Sequence, residues 1–127
     1  VGLHYHLHQA DYWYVPFGTV RVVLHDLRQG SPTEGVTEET DLVGTKHRGI
    51  YIPPGVAHGF ATLTDATITY MVDSYYNPSD ELGVAWNDPE IAADWGVDNP
   101  TLSERDQSNP LRNAIPEVDQ PRYGLRN

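Results

Sequence analysis

At 127 residues and 14.2 kDa the chain has the size of one domain, and eighteen acidic against eight basic side chains give it a net charge of −10. A nucleic-acid partner needs clustered cations, whereas this chain has a single lysine, Lys46, and neither Lys nor Arg between Gly49 and Glu104. The absence of cysteine excludes disulfides, a thiolate nucleophile and sulfur-based zinc sites from this chain. Mean hydropathy is −0.51, and no apolar run approaches the ~20 residues of a membrane-spanning helix.

Short alternating runs dominate the pattern. Leu3 to His8 alternates strictly, with Leu3, Tyr5 and Leu7 on one face and His4, His6 and His8 on the other. The chain opens on Val1 rather than Met, inside what reads as a strand, which predicts a piece of a longer protein. Thr19 to Leu27 is rich in β-branched residues and predicts a second strand, closed by the turn Gln29-Gly30-Ser31-Pro32. Gly49 to Ile52 predicts a short strand ended by Pro53-Pro54-Gly55. Gly59 to Thr64 and Ala66 to Ser74 predict a hairpin joined near Thr64-Asp65, with Ala66, Ile68, Tyr70, Val72 and Ser74 sharing a face. One helix is predicted, over Glu90 to Trp95, from Asp88 as N-cap and Pro89 at the first helical position. Beyond Trp95 the prolines and polar residues predict an irregular tail. Such spacing describes an all-β sandwich or barrel, with a jelly roll as the natural choice.

Two groups of residues could carry chemistry. The alternating histidines read either as the solvated face of an edge strand or as acid–base groups and ligands inside a barrel. Pro53-Pro54-Gly55-Val56-Ala57-His58 reads either as a strand-ending turn or as a site element. Together, His6, His8, Asp11 and His58 offer imidazoles and one carboxylate, a set suited to iron, manganese or zinc. His6-x-His8 and Pro53-x-Gly55-x-x-His58 are similar to the metal motif of the cupin superfamily.

The strings GLHY (residues 2–5), DLRQGSPT (26–33), IPPGVAHGF (52–60), YYNPSDELGVAWNDP (75–89), DW (94–95) and LSERD (102–106) follow one another in an order with a known counterpart. In that succession the chain resembles the dTDP-4-dehydrorhamnose 3,5-epimerases, metal-free cupins of sugar-nucleotide pathways. The resemblance implies a cupin-type jelly-roll core over residues 1–106, lacking the N-terminal part of the family domain, and a wrapping or disordered tail over 107–127. It implies an epimerase that inverts carbons beside the C4 ketone of a dTDP-linked 4-keto-6-deoxy sugar without a cofactor. His4 matches the family's base, Asp106 the carboxylate that orients it, and Tyr70 the proton donor. His58, Tyr76, Glu81 and Arg105 match positions that contact substrate. A homodimer and a cytoplasmic location are also implied; the dimer has a second motive, because Leu3, Tyr5 and Leu7 form an apolar strip that faces outward if the histidines face in.

Two positions depart from the family pattern: Val1 stands where the family has Arg, and Asp11 where it has a Lys able to stabilise an enolate oxygen. Two other readings stay open at this point. One is a related sugar-nucleotide 3,4-ketoisomerase, since His4-x-His6 is similar to the HxH of those cupins. The other is a non-catalytic carbohydrate-binding or metal-binding cupin.

Overall fold

Eight strands form two antiparallel sheets in the computed structural model, which describes residues 1–124. They are β1 (Leu3–Tyr5), β2 (Asp11–Phe17), β3 (Thr19–Asp26), β4 (Thr37–Val43), β5 (Gly49–Ile52), β6 (Val56–Thr62), β7 (Thr67–Val72) and β8 (Leu82–Val84). The larger sheet runs β4-β3-β6-β1-β8 and the smaller β5-β2-β7. This is the cupin-like jelly roll.

Alternation on β3 explains how the layers stack. Val20 and Val22 point inward and pack with Trp13, Val15, Leu42, Ile52 and Val56 between the sheets. Val23 points to the opposite face, where it joins Leu3, Tyr5, Leu27, Ala57, Val84, Ile91, Trp95 and Ile115. The larger sheet is therefore covered on both faces. The turn after β3 is closed by the Asp26 carboxylate, which accepts from the Arg28 guanidinium at 2.9 Å and from the hydroxyls of Ser31 and Thr33 at 2.6 Å.

Three expectations are corrected here. The apolar strip of Leu3, Tyr5 and Leu7 does not await a second subunit, because this chain's own Ile91, Trp95 and Ile115 cover it. The Tyr5 hydroxyl also donates to the Asp119 carbonyl at 3.0 Å, and a parallel bridge between Gln29 and Arg122 holds the last described turn to the barrel. Residues 125–127 of the tail lie outside the described residues. Second, β6 and β7 are not a hairpin: β6 pairs with β1 and β3, whereas β7 crosses to the other sheet and pairs with β2. Third, no helix runs from Glu90 to Trp95. Asp88 caps the Glu90 N–H at 2.8 Å, but Ala92 takes a φ of +53° and ends the turn at once. The short helix is α1 (Glu104–Ser108), where Ser103 accepts from the Asp106 N–H at 3.1 Å.

His25, on the outer face of β3, gives the fold a pH dependence. The Thr37 hydroxyl donates to the Ile91 carbonyl at 2.7 Å, so it accepts from His25 Nδ1–H at 2.8 Å. Nε2 is left buried without a partner. Burial, with the charge of Arg112 added, pushes the His25 pKa from 6.5 down to about 4, against the opposing pull of Asp26 and Asp88. On acidification the unfolded imidazole takes up its proton first. His25 should therefore cost nothing above pH 6.5 and remove about 3 kcal/mol of stability as pH falls towards 4. Denaturant melts of wild type and His25→Gln across this range check it; the same slope in both proteins would refute the assignment.

Candidate active site

Between the sheets lies a cavity of about 680 Å³, walled by His4, His6, His58 and Phe60 from the larger sheet and its margin, and by Asp11, Trp13, Ile68, Tyr70 and Val72 from the smaller. Gln9 and Val1 complete the wall, and Tyr76 and Glu81 enter from the segment between β7 and β8. Period-two alternation delivers these side chains. On β1, His4 points in while Leu3 and Tyr5 point out to the covered face. On β2, Asp11 and Trp13 point in while Tyr12 lies partly in solvent. On β7, Ile68, Tyr70 and Val72 share the cavity side, as the sequence pattern predicts.

His4 and Asp106 are hydrogen-bonded at 2.6 Å, from Nε2 to Oδ1. The other carboxylate oxygen, Oδ2, accepts the Gly2 N–H at 3.0 Å. Burial opposes the Asp106 charge, but the Gly2 N–H and the His4 imidazole outweigh it and hold the carboxyl below its ordinary pKa. With Nε2–H committed to Asp106, the free lone pair of His4 is on Nδ1.

Deeper in the cavity, His6 Nδ1–H donates to the Asp80 carbonyl at 2.7 Å and His58 Nδ1–H to the Val56 carbonyl at 3.0 Å. Burial pushes the His58 pKa down to about 4. The two imidazole rings are 5.3 Å apart, and Trp13 meets His58 edge-on at 5.2 Å. Asp11 is buried, with its carboxylate accepting from the Gln9 amide at 2.8 Å and from the Trp13 indole N–H at 3.2 Å. Among the described residues, no Lys or Arg lines the cavity.

A family model described as dTDP-4-dehydrorhamnose 3,5-epimerase matches residues 1–113. The chain belongs to that family. It is 44% identical over 100 residues to the dTDP-4-dehydrorhamnose 3-epimerase of Streptomyces niveus, covering 78% of this chain and 48% of that one. With the dTDP-4-dehydrorhamnose 3,5-epimerase of Pseudomonas aeruginosa it shares 41% over 110 residues, covering 84% and 61%. The crystal structure of dTDP-6-deoxy-D-glucose-3,5-epimerase from Legionella pneumophila, in complex with dTDP-4-keto-L-rhamnose, superposes with a TM-score of 0.90 at 37% identity. That match covers 98% of this chain and 68% of the Legionella chain. The chain thus spans roughly half to two thirds of the length of these epimerases.

Of the residues expected to contact substrate, His58, Tyr76 and Glu81 reach the cavity, Tyr76 at its rim with 78% of its surface exposed. Arg105 does not line it; its guanidinium donates to the Glu81 carbonyl at 2.5 Å and so holds the segment that carries Glu81. Of the four residues considered for a metal, His6, Asp11 and His58 come together and His8 does not. The strand pattern breaks after His6 because the Asp80 carboxylate captures the N–H groups of Leu7 at 2.6 Å and His8 at 3.1 Å. His8 is turned out to solvent. Gln9, Trp13 and Phe60 were not expected in the wall. Trp13 lies two residues after Asp11, and that spacing on a strand is the signal that would have found it.

Proposed function

We propose that the cavity is the proton-transfer site of an epimerase acting on a dTDP-linked 4-keto-6-deoxy sugar, inverting carbon next to the C4 ketone. One observation supports this reading: His4, hydrogen-bonded from behind by Asp106 on α1, and Tyr70 line a single cavity from opposite sheets. Inversion needs a base on one face of a carbon and an acid on the other. His4 Nδ1 removes the hydrogen acidified by the ketone, and the C–H electron pair moves into the enolate. Asp106 keeps Nε2–H in place and stabilises the imidazolium. Tyr70 then gives its proton to the same carbon from the other side. A phenol is a weak acid, suited to giving up its proton only when a strongly basic enolate forms beside it. Tyr70, 61% exposed, recovers it from water, and the His4 imidazolium gives its proton up to water, so both groups are restored.

His58 packs against the sugar, Tyr76 stacks on the base, and Glu81 accepts hydrogen bonds from the nucleotide. We read residues 1–106 as the barrel that holds the reaction and residues 107–124, the described part of the tail, as a brace on its outer face. A cytoplasmic location goes with a nucleotide-sugar substrate. We also propose a homodimer. Its support is the row of exposed apolar side chains on the outer face of the smaller sheet, Tyr51, Tyr12 and Met71, which are register partners across β5, β2 and β7. Light scattering at micromolar concentration should give the mass of two chains, and a monodisperse monomer would refute this.

The reaction is tested by incubating the protein in deuterium oxide with dTDP-4-keto-6-deoxyglucose. Deuterium should enter at C3, at C5 or at both, read by mass spectrometry and NMR. Tyr70→Phe should slow product formation more than it slows removal of the first hydrogen. A substrate that returns without deuterium from wild-type protein would overturn the reading.

A further inference from the structure

Proton transfer between His4 and Tyr70 leaves one cluster in the cavity unused. His6, Asp11 and His58, each about 5% exposed, turn one ligand atom apiece toward a common point, all within 4.8 Å of one another. His6 Nε2 lies 3.9 Å from Asp11 Oδ1, and His58 Nε2 lies 3.8 Å from Asp11 Oδ2. These gaps are too long for direct hydrogen bonds. Donors about 2.1 Å from one centre sit roughly 3.0–3.4 Å apart, so an ion would draw these two gaps in by about half an ångström and the widest pair of the three, which lies within 4.8 Å, by up to about 1.5 Å.

The surroundings fit the same purpose. Each imidazole donates its Nδ1–H to a backbone carbonyl, of Asp80 for His6 and of Val56 for His58, which turns both Nε2 lone pairs to the side of the carboxylate; the His6 lone pair also accepts from the Gln9 amide at 3.4 Å, a long bond that an ion would replace. Metal-binding histidines are oriented in this way. Asp11 is steadied in turn by Gln9 and by the Trp13 indole, each donating to a different oxygen. No Lys or Arg among the described residues lines the cavity beside this buried carboxylate.

We propose that His6, Asp11 and His58 bind one divalent first-row transition ion, with open coordination positions facing the cavity. The donor set, two imidazoles and one carboxylate without sulfur, suits manganese, iron, cobalt or zinc in the divalent state. Such an ion supplies positive charge beside a carbonyl or enolate oxygen. That use of the ion rests on the epimerase reading above, whereas the site itself does not.

Cobalt is the probe. Chelator-treated protein titrated with Co²⁺ should bind one equivalent per chain, seen by calorimetry, by visible absorption and by quenching of tryptophan fluorescence. Asp11→Asn and His58→Ala should weaken binding at least ~100-fold, while His8→Ala leaves it within about twofold. If the first two variants do not fold, the wild-type titration alone decides. No saturable one-equivalent binding overturns the proposal, as does equal affinity in folded Asp11→Asn. Deuterium exchange run in parallel separates the two claims. Equal exchange by chelated and ion-loaded protein overturns the ion's part in the reaction. One bound equivalent with no exchange in either state supports the site and overturns the epimerase reading.

Discussion

His4→Ala should lower deuterium exchange into the 4-keto sugar by about 10²–10⁴-fold, the usual loss when a positioned base is removed. Melting temperature should change little, because His4 is half-buried and faces the cavity, away from the apolar cluster on the outer side of β1. Asp106 would keep its bond from Gly2 N–H, so the wall beside the missing imidazole stays in place. Asp106→Asn is the companion variant. Its amide can donate to His4 Nε2, which moves the ring proton to Nδ1 and blocks the atom that must accept hydrogen. A loss of similar order is expected, although the histidine itself remains. If His4→Ala exchanged deuterium within tenfold of wild type, His4 would not be the base.

Trp95→Ala should cost about 3–5 kcal/mol of stability, or roughly 10–20 °C in melting temperature for a domain of this length. Trp95 is 8% exposed and closes the cluster over Leu3, Tyr5 and Val23. Its indole N–H donates to the Trp86 carbonyl at 3.0 Å. The ring rests on Gly59, where an added Cβ would come within 2.7 Å of Trp95 Cη2. Removing the indole leaves a void against the backbone of β6 and uncovers the outer face of β1. A thermal scan showing less than about 1 kcal/mol of change would mean that other parts of the tail, such as Ile115, do the covering.

The parts of this molecule legible in the sequence are those set by local alternation. His4 and His6 point inward because a strand sends every second residue to one side, and Tyr70 follows the same rule with Ile68 and Val72. His8 obeys it in the sequence and breaks it in the structure, since a carboxylate seventy-two positions away, on Asp80, ends the strand. Non-local pairing hid more. Nothing within residues 59–74 says that β6 and β7 belong to different sheets, because each strand's partners lie elsewhere in the chain. The cover over Leu3 and Tyr5 was equally hidden. It comes from Ile91 and Trp95, whose four-residue spacing reads as one face of the helix that does not form, and from Ile115, twenty residues further on. The Glu90 helix fails for a local reason that its cap does not reveal, the left-handed turn at Ala92.

Asp80 ties two ends of the cavity into one mechanical unit. Its carbonyl holds the His6 ring, its carboxylate holds the backbone of Leu7 and His8, and it sits between Tyr76 and Glu81 on the segment that forms the rim. A ligand that orders this segment therefore also lowers the freedom of His6. Linkage makes the effect reciprocal: whatever restrains His6 from below must strengthen the grip at the rim by the same free energy. The floor of the barrel and its mouth thus share one residue, and any strain placed on the rim segment reaches His6 through Asp80.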